Sequence, residues 1–214
     1  RGSKIVMIHT VLFDLDGTLW DATENIRTSW NIAIKDFIGL ENRELTAEEL
    51  QGVMGLPMDE IAAKLFSEYP KEKQLDILQH CCEIENEYLT NHGGILFPNV
   101  EKTLSNLSKN FKLCIVSNGQ AGYIQTFLTS HNMNKYFTDF QNWGDNQVPK
   151  GENIKLVMKR NSIKHAAYIG DTLGDFNASK LAGIDFIYAK YGFGEVEKPD
   201  YTINSFEELE QIVG

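Results

Sequence analysis

The residues best able to do chemistry stand at the ends of apolar runs. The stretch VLFDLDGTLWDAT, Val11 to Thr23, reads as a buried strand that stops on two carboxylates, Asp14 and Asp16, with Gly17 and Thr18 directly behind them. Burying charge without a partner costs several kcal/mol, so this pair asks for a cation. Three further places offer groups of complementary chemistry. KLCIVSNG delivers Ser117 with Asn118 and Gly119, AAYIGDTLGD delivers Asp171 and then Asp175, and Lys150 follows Pro149 at the start of a helical pattern. The acids suit a hard cation such as Mg²⁺, which takes oxygen ligands and keeps positions for water and phosphate oxygens. Asp14 and Asp171 are the expected carboxylate ligands, which leaves one oxygen of Asp14 free to attack phosphorus. Asp16 would reach the metal through its backbone carbonyl while its side chain moves a proton. Ser117 and the amides after it would bind phosphoryl oxygens, and Lys150 would neutralise charge developing in the transition state.

Residues so far apart in sequence need a fold that gathers them. HTVLFDLD, FKLCIVSN, AAYIGD and DFIYAKY are short apolar runs without alternation, as expected of strands covered on both faces. Helical patterns lie between the later ones, in GYIQTFLTSHN, ENIKLVMKRN and FNASKLAG, the last stopping at Gly183. From about residue 100 the order is helix, strand, helix, weak strand, helix, strand, helix, strand. That is βαβ repetition, and it predicts an α/β fold with a doubly wound, Rossmann-like parallel sheet. In such a sheet ligands bind beyond the carboxyl ends of the strands, where strand order reverses, and the groups above all sit at those ends.

Residues 23 to 92 break the rhythm. ENIRTSWNIAIKDF puts Ile26, Trp30, Ala33 and Phe37 on one helical face, Thr46 and Glu49 form a capping box, Pro57 suits a first helical turn, and KEKQLDILQHCCEIENEYL continues as a long amphipathic helix. No strand is expected there. The predicted organisation is a core of residues 7–20 and 95–214 with an all-helical cap, residues 21–94, inserted between them. Gly93 and Gly94 at the return serve equally as hinge or helix C-cap. The chain closes on SFEELEQIV, where Ser205 and Glu208 make a capping box for a final helix.

DLDGTL, VSN, a lysine ahead of a helix, and GDTLGD, in that order, resemble the four motifs of the haloacid dehalogenase-like superfamily, from about residue 9 to the end. The resemblance implies a phosphoaspartate on Asp14, acid/base action by Asp16, phosphate binding by Ser117 and Lys150, and Mg²⁺ held by Asp171, with Asp175 ligating directly or through water. Asp14, Asp16, Asp171 and Asp175 thus form the expected metal set, and Thr18, Ser117, Asn118, Gly119 and Lys150 the substrate-binding set. About 75 residues separate the first motif from the resumed core, while 32 lie between Ser117 and Lys150. That spacing is similar to the branch with a helical cap after the first motif, as in phosphoglycolate phosphatases. Many relatives have proline after the motif lysine; here the sequence is PKGEN.

Composition narrows the function. A net charge of -10 with no Lys/Arg-rich segment disfavours nucleic acid and anionic membrane as partners, while a small phosphorylated metabolite needs only a local cation. No apolar run nears the roughly 20 residues of a membrane span. Cys81, Cys82 and Cys114 show no disulfide or metal spacing, which suits a reducing cytoplasm. No secretory signal is expected, and RGSKIV ahead of Met7 is set aside. The five histidines, His9, His80, His92, His131 and His165, lack ligand spacing. Trp20, next to the first acids, is the best candidate to line the substrate pocket, with Trp30, Met54, Leu56 and Trp143 as further candidates, Trp30 being the one that also suits the core. GFG at Gly192 to Gly194 reads as a plain loop. The expected activity is Mg²⁺-dependent phosphatase action. A phosphomutase or a non-catalytic phosphometabolite-binding module are the alternatives, and a dehalogenase would leave Asp16 and the metal acids without a task.

Overall fold

The computed structural model describes residues 8–214. Met7, where the core is expected to begin, and RGSKIV before it lie outside the described residues. Six strands form one parallel sheet in the order β5-β4-β1-β6-β7-β8. They are β1 (Thr10–Phe13), β4 (Lys112–Ser117), β5 (Asp139–Asn142), β6 (Ala166–Gly170), β7 (Asp185–Ala189) and β8 (Tyr201–Ile203). β1 lies between β4 and β6, with Phe13 level with Ile115 on one side and Ile169 on the other. All four of its residues are buried, which explains why the run does not alternate.

Helices cover both faces. Leu12, Cys114, Tyr168 and Phe186 meet Ile154 and Val157 of α7 (Lys150–Arg160) and Ala178 of α8 (Leu173–Ala182). Val11, Phe13, Ile115 and Ile187 face Leu104 of α5 (Val100–Leu107), Phe127 of α6 (Tyr123–Ser130) and Leu209 of α9 (Leu209–Val213). The chain runs from β1 outward in both directions, so strand order reverses at β1 and its carboxyl end is the crevice in which a ligand can sit.

Between Thr23 and His92 the chain is helical throughout its regular structure: α1 (Thr23–Ala33), α2 (Ala47–Gln51), α3 (Met58–Leu65) and α4 (Lys71–His92). These form a cap over the crevice. Ile26, Trp30 and Ala33 of α1 are buried toward α4, whereas Phe37 falls beyond the 3₁₀ turn that ends the helix and is only half-buried. Thr46 and Glu49 cap α2 reciprocally, and Pro57 stands at the N-cap of α3. α4 buries Ile77, Cys81, Glu85 and Leu89, a stripe in steps of four that includes a carboxylate.

Three elements are absent from the sequence reading. β2 (Trp20–Asp21) and β3 (Ile95–Leu96) pair antiparallel as a two-stranded ribbon where the chain enters and leaves the cap, and β8 extends the sheet. Strands of two or three residues show no measurable period. Gly93 acts as the C-cap of α4 immediately before the ribbon. The capping box expected at Ser205 does not form: the Glu208 carboxylate accepts from the Asn204 N–H at 3.0 Å, a 3₁₀ turn over Phe206–Glu208 intervenes, and α9 starts only at Leu209.

Candidate active site

The acids are gathered by strand ends and helix starts. The Asp14 N–H donates to the Ile169 carbonyl at 2.8 Å, which extends the ladder one residue past β1 and fixes the side chain at the crevice. Lys150, the first residue of α7, is buried and its Nζ donates to Asp14 Oδ1 at 3.0 Å and to Asp175 Oδ1 at 2.6 Å. Asp175 also caps α8, its Oδ2 accepting from the N–H groups of Asp171 and Thr172 and from the Thr172 hydroxyl. Asp171 accepts from the Thr18 hydroxyl at 3.4 Å and from the Phe193 N–H at 2.7 Å.

Asp14, Asp171 and Asp175 each offer one carboxylate oxygen, all within 4.8 Å of one another. A single lysine answers three buried carboxylates, so two charges remain unbalanced. Burial first, and then Asp175, hold the Asp14 carboxyl well above the usual range, and the same two causes push Asp171 up to about 7. Burial alone would lower Lys150, but Asp14 and Asp175 outweigh it and keep the ammonium protonated above its ordinary value. An all-oxygen donor set with surplus negative charge fits a hard divalent cation.

Asp16 has separate partners. Its Oδ1 accepts from the Tyr123 hydroxyl at 2.7 Å and the Trp20 indole N–H at 2.9 Å, and burial raises it to about 6 against the pull of these two bonds. The turn behind it demands glycine: Gly17 has φ +76°, and a Cβ there would lie 2.2 Å from Asp171 Oδ2. On the other side of Asp171, a Cβ at Gly192 would lie 2.3 Å from the Asp171 Cβ. The GFG segment is therefore not an idle loop. It closes on Asp171, and the Phe193 amide fixes one carboxylate oxygen.

A cavity of about 50 Å³ lies between core and cap, and Asp14, Asp16, Ser117, Asn118, Gly119 and Lys150 all line it. Thr18, Asp171 and Asp175 do not, the Thr18 hydroxyl being turned to Asp171. Ser117 Oγ accepts from the Gly119 N–H at 3.1 Å, a turn that points the loop at the crevice. Asn118 Nδ2 donates to the Gly55 carbonyl of the cap at 2.9 Å, and its buried Oδ1 has no partner among the described residues. Met54 and Leu56 line the roof, as expected from sequence.

Trp20 and Trp143 depart from the expected roles, whereas Trp30 is buried in the core and also borders the cavity. Trp20 is buried away from the cavity, packed against Tyr123, Phe127 and His131, and acts through its bond to Asp16. Trp30 lines the cavity and donates to Glu85, while Trp143 lies outside it. Sequence reading missed Tyr123, Gln120 and Glu85. For Glu85 a signal existed, an acid on the apolar stripe of α4; for Tyr123, an aromatic at a helix start, there was none.

A doubly wound parallel sheet that delivers an acid pair from its central strand into a crevice roofed by inserted helices defines a capped α/β hydrolase. Residues 11–189 match the model of the haloacid dehalogenase-like hydrolases, and the chain belongs to that family. It is 29% identical to a phosphoglycolate phosphatase of Salmonella typhi, covering 99% of this chain and 95% of that protein. A phosphoglycolate phosphatase of Vibrio parahaemolyticus is 25% identical over 96% of each. A haloacid dehalogenase-like family hydrolase from Streptococcus pneumoniae superposes with a TM-score of 0.81 at 22% identity, covering 95% of this chain and 97% of that one, a likeness of fold.

Proposed function

We propose that the chain is an Mg²⁺-dependent phosphomonoesterase that hydrolyses a small phosphorylated metabolite through a phosphoaspartate on Asp14. One observation carries this reading: Asp14 and Asp16 line one cavity, yet Asp14 is paired with Lys150 and Asp16 is held by Tyr123 and Trp20. Two acids in different environments suit two tasks.

Asp14 attacks phosphorus as the bond to the leaving oxygen breaks, and Asp16 gives its proton to that oxygen. Asp16, now ionised, takes a proton from the water that attacks the phosphoaspartate, which releases phosphate and restores both carboxyl groups. Lys150 orients Asp14, and Ser117 with the amides of the loop after it receives the phosphoryl oxygens. Asp14, Asp171 and Asp175, with the Asp16 carbonyl, would hold Mg²⁺, which when bound supplies Lewis-acid polarisation of phosphorus. Asp171 is tied in turn by Thr18 and Phe193, so these set ligand orientation.

The names of the relatives support a small substrate. Among the described residues no helix is long and apolar enough to cross a membrane, and three free cysteines favour a cytoplasmic setting. The test is hydrolysis of p-nitrophenyl phosphate with Mg²⁺ and with chelator. Metal-dependent turnover that disappears in Asp14→Asn is expected; turnover indifferent to Asp14 would overturn the reading.

A further inference from the structure

We propose that the leaving-group end of the cavity is built for an uncharged, hydroxyl-bearing alcohol and selects against a leaving group that carries its own carboxylate, with Glu85 as the specificity-determining residue. This rests on the phosphomonoesterase reading and names its substrate class. It runs against the substrate in the names of the relatives, since phosphoglycolate bears a carboxylate beside its phosphate.

A substrate carboxylate inside a small, largely apolar cavity needs a cation or at least two free donors. The cap contributes Ile26, Trp30, Met54 and Leu56 but no lysine, arginine or histidine, and Lys150 is the one basic residue in the lining. Lys150 is already committed to Asp14 and Asp175. The donors are committed as well. The Trp30 indole N–H points at Glu85 Oε2, and the Gln120 amide divides its hydrogens between Glu85 Oε1 at 2.9 Å and Asn86 Oδ1 at 3.0 Å. The Trp20 and Tyr123 donors are spent on Asp16. Glu85 thus takes up donors of the cavity lining that could otherwise recognise an anionic leaving group.

What remains free at this end is acceptor capacity. Glu85, when ionised, retains lone pairs beyond its two bonds, and Asn118, another residue of the lining, has a buried Oδ1 with no partner among the described residues. Reversing that amide would set its oxygen against the Gly55 carbonyl, so the orphan is the oxygen. Unpartnered acceptors are satisfied by a ligand hydroxyl and repel a ligand carboxylate.

The test is a matched pair, 2-phosphoglycolate against 2-hydroxyethyl phosphate, which differ in a carboxylate replaced by a hydroxymethyl group, assayed with saturating Mg²⁺ beside p-nitrophenyl phosphate. The wild type is expected to show at least about tenfold higher kcat/KM for 2-hydroxyethyl phosphate. Glu85→Ala, which frees the Trp30 and Gln120 donors, should raise the ratio of kcat/KM for 2-phosphoglycolate to kcat/KM for 2-hydroxyethyl phosphate about tenfold. The near-isosteric Glu85→Gln keeps the packing and should narrow the wild-type preference, which covers the case in which the alanine variant does not fold. Turnover of p-nitrophenyl phosphate together with equal or better use of 2-phosphoglycolate by the wild type overturns this inference alone. Absence of metal-dependent turnover on all three substrates overturns the phosphomonoesterase reading and this inference with it.

Discussion

Two acids buried under the same cap are each steadied by an indole, Asp16 by Trp20 and Glu85 by Trp30. The sequence announces the first, because Asp16 belongs to a motif, and hides the second, because nothing but its place on an apolar stripe distinguishes Glu85 from the other acids of α4. Burial drives Glu85 up to about 7, against the bonds from Gln120 and Trp30. The unfolded chain releases that proton near 4.5. Between the two values the folded protein holds a proton the unfolded chain has lost, so stability present below about 4.5 is lost as pH rises through about 7. Glu85→Gln removes this dependence. Its stability relative to wild type should grow by up to about 3 kcal/mol between pH about 5 and about 8, read from denaturation midpoints; a constant difference would show that Glu85 titrates normally. Gly17 makes a sharper case, since a side chain there strains a positive φ and strikes Asp171. Gly17→Ala is expected to cost roughly 1–3 kcal/mol of stability and to lower both kcat and Mg²⁺ affinity by 10- to 100-fold. Isothermal titration with the metal alone measures the latter, and unchanged Mg²⁺ binding would argue against Asp171 as a ligand.

At the scale of elements, the cap meets the core through side-chain amides. Asn118 reaches the Gly55 carbonyl, Asn86 donates to the Ala121 carbonyl at 2.9 Å, and Gln120 donates to Asn86 and Glu85. All lie beside the loop after Ser117, so the contact of the cap with the core and the shape of that loop are coupled. Asn86→Ala removes two of these bonds, about 1 kcal/mol each. KM should rise several-fold, and amide exchange over residues 119–124 should speed up, while kcat for a saturating substrate changes little. Protection unchanged in that segment would show that closure depends on apolar packing instead. The helices that build this interface were legible because each has at least two turns of apolar spacing or a capping box. The ribbon of β2 and β3 was not, since pairing Trp20 with Leu96 is a contact across the whole cap and no local period encodes it. Trp20 was misplaced for the same reason: its proximity to Asp14 in sequence suggested the cavity, whereas the ribbon turns it toward α6.

Across the whole molecule the charge distribution opposes the task. Thirty acids against twenty basic residues leave -10, and some of the basic surface is paired, as in Arg27 with Glu24 and Arg160 with Asp139. The lysine of the cavity is buried and screened by its own acids. On the proposed function a phosphate dianion approaches through a repulsive field and meets attraction only at short range, from Lys150 and the proposed metal. At roughly 10 mM ionic strength the Debye length is about 30 Å, beyond the radius of a chain of this size, so the full net charge acts on the incoming ligand; near 0.15 M it shrinks to about 8 Å and only neighbouring charges count. With Mg²⁺ saturating throughout, kcat/KM for a phosphomonoester should consequently rise several-fold between these salt concentrations while kcat stays nearly level, the opposite of an enzyme that steers its substrate with a basic surface. A fall in kcat/KM over the same range would mean that the local cations govern the approach, and that the acidic surface faces away from the entry path.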